Sequence, residues 1–157
     1  MTAPRAVWFQ ACDLLKGQGM PTRMLIVEDE ASLRWALNRY FTLRGYEVIC
    51  AENIAEALET VSVAKTPFHV VLTDLHFEGR SCEDGLELVK CLKPLMPQLR
   101  FILLTASLEE DLRERARTAG VDVALVKPQR LPTLESYIAA FTSPAQLSAP
   151  ESMPAAS

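Results

Sequence analysis

Residues 69–74, "HVVLTD", place three branched apolar side chains in a row and then stop at Thr73 and Asp74. A short unbroken apolar run bounded by polar residues is the mark of a strand buried on both faces. The same form recurs on either side. "RMLIVED" (23–29) precedes it, as does the shorter "YEVICA" (46–51); "RFILLTAS" (100–107) and "VALVKP" (123–128) follow. Between these runs the periodicity changes to that of helices. "ASLRWALNRYFTLRG" (31–45) sets Leu33, Ala36, Leu37, Tyr40 and Phe41 on one stripe, with Gly45 as a stop. "NIAEALETVSVAK" (53–65) opens on Asn53, a favoured N-cap. "EDGLELVKCLKPL" (83–95), "LEEDLRERARTAG" (108–120) and "TLESYIAAF" (133–141) complete the series. Five strand–helix units of this kind predict an α/β fold, a doubly wound five-stranded parallel sheet covered on both faces.

The bulk figures suit one domain with loose ends. The chain has 157 residues, 49% hydrophobic and 23% charged, with 16 basic and 20 acidic side chains giving a formal net charge of −4. That balance argues against nucleic acid as partner, because its binders carry a basic patch. No apolar run nears the roughly 20 residues of a membrane span, and "MTAPRAVWFQACDLLKGQGM" lacks the apolar centre of a secretory signal. A cytoplasmic protein with no membrane partner is expected. Cys12, Cys50, Cys82 and Cys91 form no C-x-x-C pair, and with only His69 and His76 beside them they are read as free thiols. Residues 1–22 are expected to be an N-terminal extension, disordered or a short helix around Val7–Leu15. Met20 and Met24 stand just before the first strand as candidate starts. The domain proper spans 23–142, and the Pro/Ala/Ser-rich stretch 143–157 lacks the apolar surface to offset its ordering entropy.

In a parallel sheet, function gathers at the carboxyl ends of the strands. One rim would therefore carry Glu28 and Asp29 from the first strand, Asp74 from the third, Thr105 from the fourth and Lys127 from the fifth. Converging carboxylates raise one another's pKa unless a cation sits among them. Hard oxygen ligands suit Mg²⁺. Ammonium, hydroxyl and metal together could neutralise the oxygens of a phosphoryl group, and a carboxylate beside them could act as nucleophile. Any one such residue is an ordinary strand-end feature; their joint occurrence on successive strands is what points to chemistry.

"MLIVEDE", "VVLTDL", "ILLTAS" and "ALVKP" resemble the receiver domain of two-component response regulators over about residues 23–142. The resemblance implies the flavodoxin-like (βα)5 receiver fold, with Asp74 as phosphoacceptor. It implies Mg²⁺ held by Glu28, Asp29, Asp74 and the backbone carbonyl of His76. Thr105 and Lys127 would bind the phosphoryl oxygens and drive the switch. Pro128 would follow a cis peptide bond, and Ala106 is small where phosphoryl access requires it. The implied partners are a sensor histidine kinase or phosphotransfer protein and an unknown downstream protein target. The protein would be no enzyme beyond catalysing its own phosphorylation and dephosphorylation.

Three departures stand out. Ala124 occupies the position of the family's switch aromatic, which leaves coupling weakened or rerouted, or the gap filled by another side chain. Phe77 and Glu78 replace a Met-Pro pair, and Gly85 lies eleven residues after Asp74, so the loop is about three residues longer than the pattern and lacks a rigidifying proline. His76 and Ser107 flank the site where side chains modulate phosphoryl lifetime. No helix-turn-helix or catalytic domain follows the last helix in this sequence, so a single-domain regulator signalling through protein contact is expected. Three alternatives stand beside this reading: a phosphorylation-independent receiver-like scaffold, a haloacid-dehalogenase-type phosphatase and a flavodoxin-like FMN binder. The phosphatase needs Asp-x-Asp on its first motif strand, whereas the third strand here carries Asp-x-His. The FMN binder needs a Ser/Thr/Gly loop where this chain has "EDEAS" (28–32).

Overall fold

The structure is a computed structural model that describes residues 20–77 and 84–143. The expectations for residues 1–19, for Cys12 and Cys82, for the inserted loop from Glu78, and for the tail beyond Ser143 lie outside the described residues. Strand and helix alternate throughout: β1 (Arg23–Val27), α1 (Ala31–Leu43), β2 (Glu47–Ala51), α2 (Ile54–Val63) and β3 (Val70–Asp74) come first. They are followed by α3 (Asp84–Leu92), β4 (Arg100–Thr105), α4 (Glu110–Ala119), β5 (Val123–Val126) and α5 (Leu131–Thr142). All neighbouring strands pair in parallel in the order β2-β1-β3-β4-β5. The strand order reverses between β1 and β3, and the crevice outside the carboxyl ends at such a point is where ligands bind in open α/β sheets.

The unbroken apolar strands follow from burial on both sides. Alternate residues of each strand enter two separate cores. Met24, Ile26, Val70, Leu72, Ile102 and Leu104 meet Leu37 and Phe41 of α1 and Leu134 and Ile138 of α5. Leu25, Val27, Val71, Phe101 and Leu103 face the other way, onto α2, α3 and α4. On α1 the expected stripe is only partly sunk: Leu37 and Phe41 are buried, while Leu33, Ala36 and Tyr40 are half-buried.

The helix ends follow local chemistry. Asn53 Oδ1 accepts the Glu56 N–H at 2.9 Å, and Glu56 Oε2 accepts the Glu52 N–H at 2.7 Å, so donors at the start of α2 are satisfied. Gly120 closes α4 in the left-handed region at φ 104°, its N–H donating to the carbonyls of Ala116 and Arg117. Gly85, in the first turn of α3, has a different reason to be glycine. A Cβ there would lie 2.1 Å from the Asp74 carbonyl oxygen, so the α3 backbone rests directly on the end of β3. No helix among the described residues is long and apolar enough to cross a membrane.

Candidate functional site

Four adjacent strands, β1, β3, β4 and β5, deliver their last residues to one rim, and the ladder continues past the strand ends to hold them. The Glu28 N–H donates to Ala51 O at 3.1 Å, Leu75 N–H to Leu104 O at 2.8 Å, and Lys127 N–H to Thr105 O at 2.7 Å. Glu28, Asp29 and Asp74 each offer a carboxylate oxygen, all lying within 4.8 Å of one another. Lys127 Nζ donates to Asp74 Oδ2 at 2.8 Å and lies 3.6 Å from Glu28 Oε2. Lys127 precedes Pro128 through a cis peptide bond.

The electrostatics are those of a crowded anionic site with one ammonium. Burial pushes the Glu28 carboxyl up from its ordinary value, and the Asp74 charge adds to this. The Glu30 N–H and Lys127 pull it back without cancelling the rise. For Lys127, burial works against the charged form, but the hydrogen bond to Asp74 and the charges of Glu28 and Asp74 outweigh it, and its pKa is raised. Three carboxylates against one ammonium leave the cluster net negative, and all the ligand atoms are hard oxygens. That donor set fits Mg²⁺, which takes one or two direct carboxylates and keeps waters for the rest.

Thr105 is buried at the end of β4, and its Oγ1 donates to Ser107 O at 2.8 Å. The hydroxyl is thus adjacent to the site but engaged with its own loop. His76, Ala106 and Ser107 are exposed beside it. Ala124 is half-buried and packs, with Leu108, against the core beneath α2, α3 and α4. Two residues escaped the sequence reading. Arg34 donates through NH1 to the carbonyls of Glu28 at 2.8 Å and Asp29 at 3.1 Å, while its NH2 pairs with Glu52 at 2.7 Å. It fixes the turn that carries the acid pair. Its place in the first turn of α1, five residues after Asp29, was the available signal. Gly85 is a spacing mark in the sequence, and in the fold it lies so close to the Asp74 backbone that a Cβ would come within 2.1 Å of the carbonyl oxygen.

A family profile described as "Response regulator receiver domain" matches residues 24–139. Among curated proteins, "Sporulation initiation phosphotransferase F" of Bacillus subtilis (strain 168) is 31% identical over 109 residues, covering 69% of this chain and 84% of the relative. "DNA-binding transcriptional regulator NtrC" of Escherichia coli (strain K12) is 37% identical over 103 residues, which are 66% of this chain but 21% of that regulator. Among solved structures, the chemotaxis response regulator CheY4 of Vibrio cholerae aligns with a TM-score of 0.67 over 77% of this chain and 98% of that one. At 24% sequence identity it speaks for the fold alone.

Proposed function

The chain belongs to the response regulator receiver-domain family of two-component signalling, and from that premise we propose that Asp74 accepts a phosphoryl group from a phosphohistidine donor. The observation that carries the proposal is the cluster itself: Lys127 against Asp74 and Glu28, with Asp29 in the same 4.8 Å group. The donor is a histidine kinase or a phosphotransfer protein, and the reaction is cytoplasmic, where such donors are charged from ATP.

Glu28, Asp29, Asp74 and the backbone carbonyl of His76 are the groups that would hold Mg²⁺. When bound, the metal neutralises phosphoryl oxygens and lowers the repulsion between anionic nucleophile and anionic donor. Lys127 fixes one Asp74 oxygen, which orients the carboxylate. An Asp74 oxygen attacks phosphorus; the P–O bond forms as the P–N bond breaks, and the electron pair passes to the imidazole nitrogen. Lys127 then transfers its hydrogen bond to a phosphoryl oxygen. Thr105 binds another oxygen by releasing Ser107 O and rotating its hydroxyl inward. Hydrolysis of the acyl phosphate restores the carboxylate and frees inorganic phosphate. Signal output runs through contact with a downstream protein.

The test is incubation with Mg²⁺ and a small phosphodonor, beside Asp74→Asn. The proposal expects Mg²⁺-dependent, acid-stable, base-labile phosphate on the wild type and none on the variant. Phosphate on both, or on neither, overturns it. The second reading, a scaffold that never takes phosphate, draws on Ala124, and it would be supported by the absence of label together with unimpaired partner binding.

A further inference from the structure

Glu28 and Asp29 are consecutive, and consecutive side chains of a strand point to opposite faces of its sheet. Both nonetheless bring a carboxylate oxygen into one group with Asp74, all within 4.8 Å of one another. The chain must therefore leave extended geometry between them. β1 ends at Val27 and the Glu28 N–H still pairs with Ala51 O at 3.1 Å, so the departure comes directly after that bond. The carbonyls record the same turn. In an extended strand successive carbonyls point to opposite sides, one toward each neighbouring strand. Here the carbonyls of Glu28 and Asp29 converge on a single nitrogen, Arg34 Nη1, at 2.8 and 3.1 Å.

The other terminal nitrogen of Arg34, Nη2, pairs with Glu52 Oε1 at 2.7 Å, and Glu52 lies just past the end of β2. The side chain is mostly buried and braced from two strand ends. A guanidinium is rigid and planar, so the two bonds to Nη1 fix the peptide planes on either side of Asp29. Those planes set where the Asp29 carboxylate starts and how it stands to Glu28. The Glu30 N–H, donating to Glu28 Oε1 at 3.1 Å, holds the other acid over the same turn. For a cation at the site Arg34 has two effects of opposite sign. As a charge it repels any divalent ion nearby, so its loss by that effect alone should tighten binding. As a brace it presets the acids, so its loss should weaken binding, and most for the ion that tolerates least distortion. Mg²⁺ demands near-octahedral geometry, whereas Ca²⁺ takes more oxygens in looser arrangements. The two carbonyls turned toward Arg34 are also backbone oxygens that a loosened turn could offer to the larger ion.

We propose that Arg34 is a positioning residue that presets Glu28 and Asp29 for Mg²⁺ and biases the site against larger, more loosely coordinated divalent cations such as Ca²⁺. This rests on the reading of Glu28, Asp29 and Asp74 as the group that holds the metal. The brace outweighs the charge because the guanidinium is attached to the acids' own backbone, while its charge is already shared with Glu52.

The experiment titrates the full chain, without phosphodonor, with MgCl₂ and separately with CaCl₂ at constant ionic strength. Amide chemical shifts of Leu75 and Thr105 read binding, and circular dichroism checks that each variant is folded at the titration temperature. Arg34→Gln should weaken Mg²⁺ binding about tenfold and Ca²⁺ binding by a smaller factor, so that the preference for Mg²⁺ falls. Arg34→Lys keeps the charge but lacks the planar fork, and should stay nearer to Arg34→Gln than to the wild type. Asp122→Ala, destabilised at the opposite rim, should keep wild-type affinity for both ions. Four results overturn the positioning role while leaving the metal site standing: Mg²⁺ binding by Arg34→Gln that is unchanged or tighter, an unchanged ion preference, an Arg34→Lys equal to the wild type, or an equal loss in Asp122→Ala. A wild type that does not respond to Mg²⁺ overturns both.

Discussion

Lys127 touches two of the three carboxylates and offsets one of their charges. Its replacement by Met should leave Glu28, Asp29 and Asp74 facing one another without an ammonium. The side chain is 29% exposed, so the cost is discounted from that of a fully buried pair to about 1–2 kcal/mol at neutral pH. Because repulsion then dominates, added Mg²⁺ should raise the melting temperature of Lys127→Met more than that of the wild type. Thermal unfolding with and without the metal checks this; equal shifts would mean that the ammonium does not counterbalance the acids. A second residue-scale prediction concerns Cys50, half-buried under α1. Burial pushes its thiol up, only partly offset by Asn38, whose Nδ2 donates to the sulfur at 3.3 Å. The exposed Cys91 should therefore be alkylated well before Cys50 at pH 8, as peptide mapping would resolve. The sign for stability follows from the raised folded value. Cys50 contributes fully below the ordinary thiol pKa of about 8.5, and the contribution drains away as pH rises through the folded pKa. Cys50→Ala should flatten that part of the alkaline melting curve.

At the scale of elements, α3 is the one whose sequence requirement is sharpest. Gly85→Ala drives a Cβ to 2.1 Å from the Asp74 carbonyl oxygen, a backbone atom that cannot swing aside. Urea unfolding should show a loss of about 2–3 kcal/mol, and phosphorylation of the folded fraction should slow because β3's end is displaced. Asn53→Ala is the matched control. It removes a cap worth about 1 kcal/mol whose bond is to the Glu56 N–H and to none of the three acids, so stability should fall while labelling of Asp74 is unaffected. These two glycine and cap positions also show what could be read from sequence. Asn53 was legible because its partner, Glu56, is three residues away. Strands such as "VVLTD" were legible because burial on both faces leaves an unbroken apolar run, and the acids, Thr105 and Lys127 were legible as the residues that end those runs. Gly85 against Asp74 and Arg34 against the Glu28 carbonyl were not. A glycine's close approach and a guanidinium's choice of carbonyl depend on how elements dock, and local periodicity carries neither. The Thr105 hydroxyl illustrates the same limit: its residue type was readable, its bond to Ser107 O was not.

Over the whole molecule, the sheet separates two rims with different duties. The carboxyl rim holds the site. Toward the amino end of β4 and β5, Asp122 collects Arg100, Lys93 and the Phe101 N–H, while Arg23 is stacked over Phe68 at 4.4 Å and bonded to Glu47 at 2.8 Å. Asp122→Ala leaves two cations and a backbone donor without their shared acceptor. Because these groups are partly exposed, a loss of about 2–3 kcal/mol is expected, below the range for fully buried pairs. The folded fraction should still take phosphate on Asp74 at the wild-type rate, since the change lies at the opposite rim. Parallel denaturation and labelling experiments test the separation, and a labelling defect that exceeds the unfolded fraction would refute it. The bonds that extend the ladder beyond the strand ends carry a last consequence. Glu28, Leu75 and Lys127 each bear a site side chain, or adjoin one, and also stitch one strand to the next through the backbone. Those stitches fix the backbone from which the acid and ammonium side chains spring, so any closer approach falls to side-chain rotation. The sheet thus behaves as a fixed bench, and whatever is worked on its edge is handled by side chains while the five strands beneath keep their spacing.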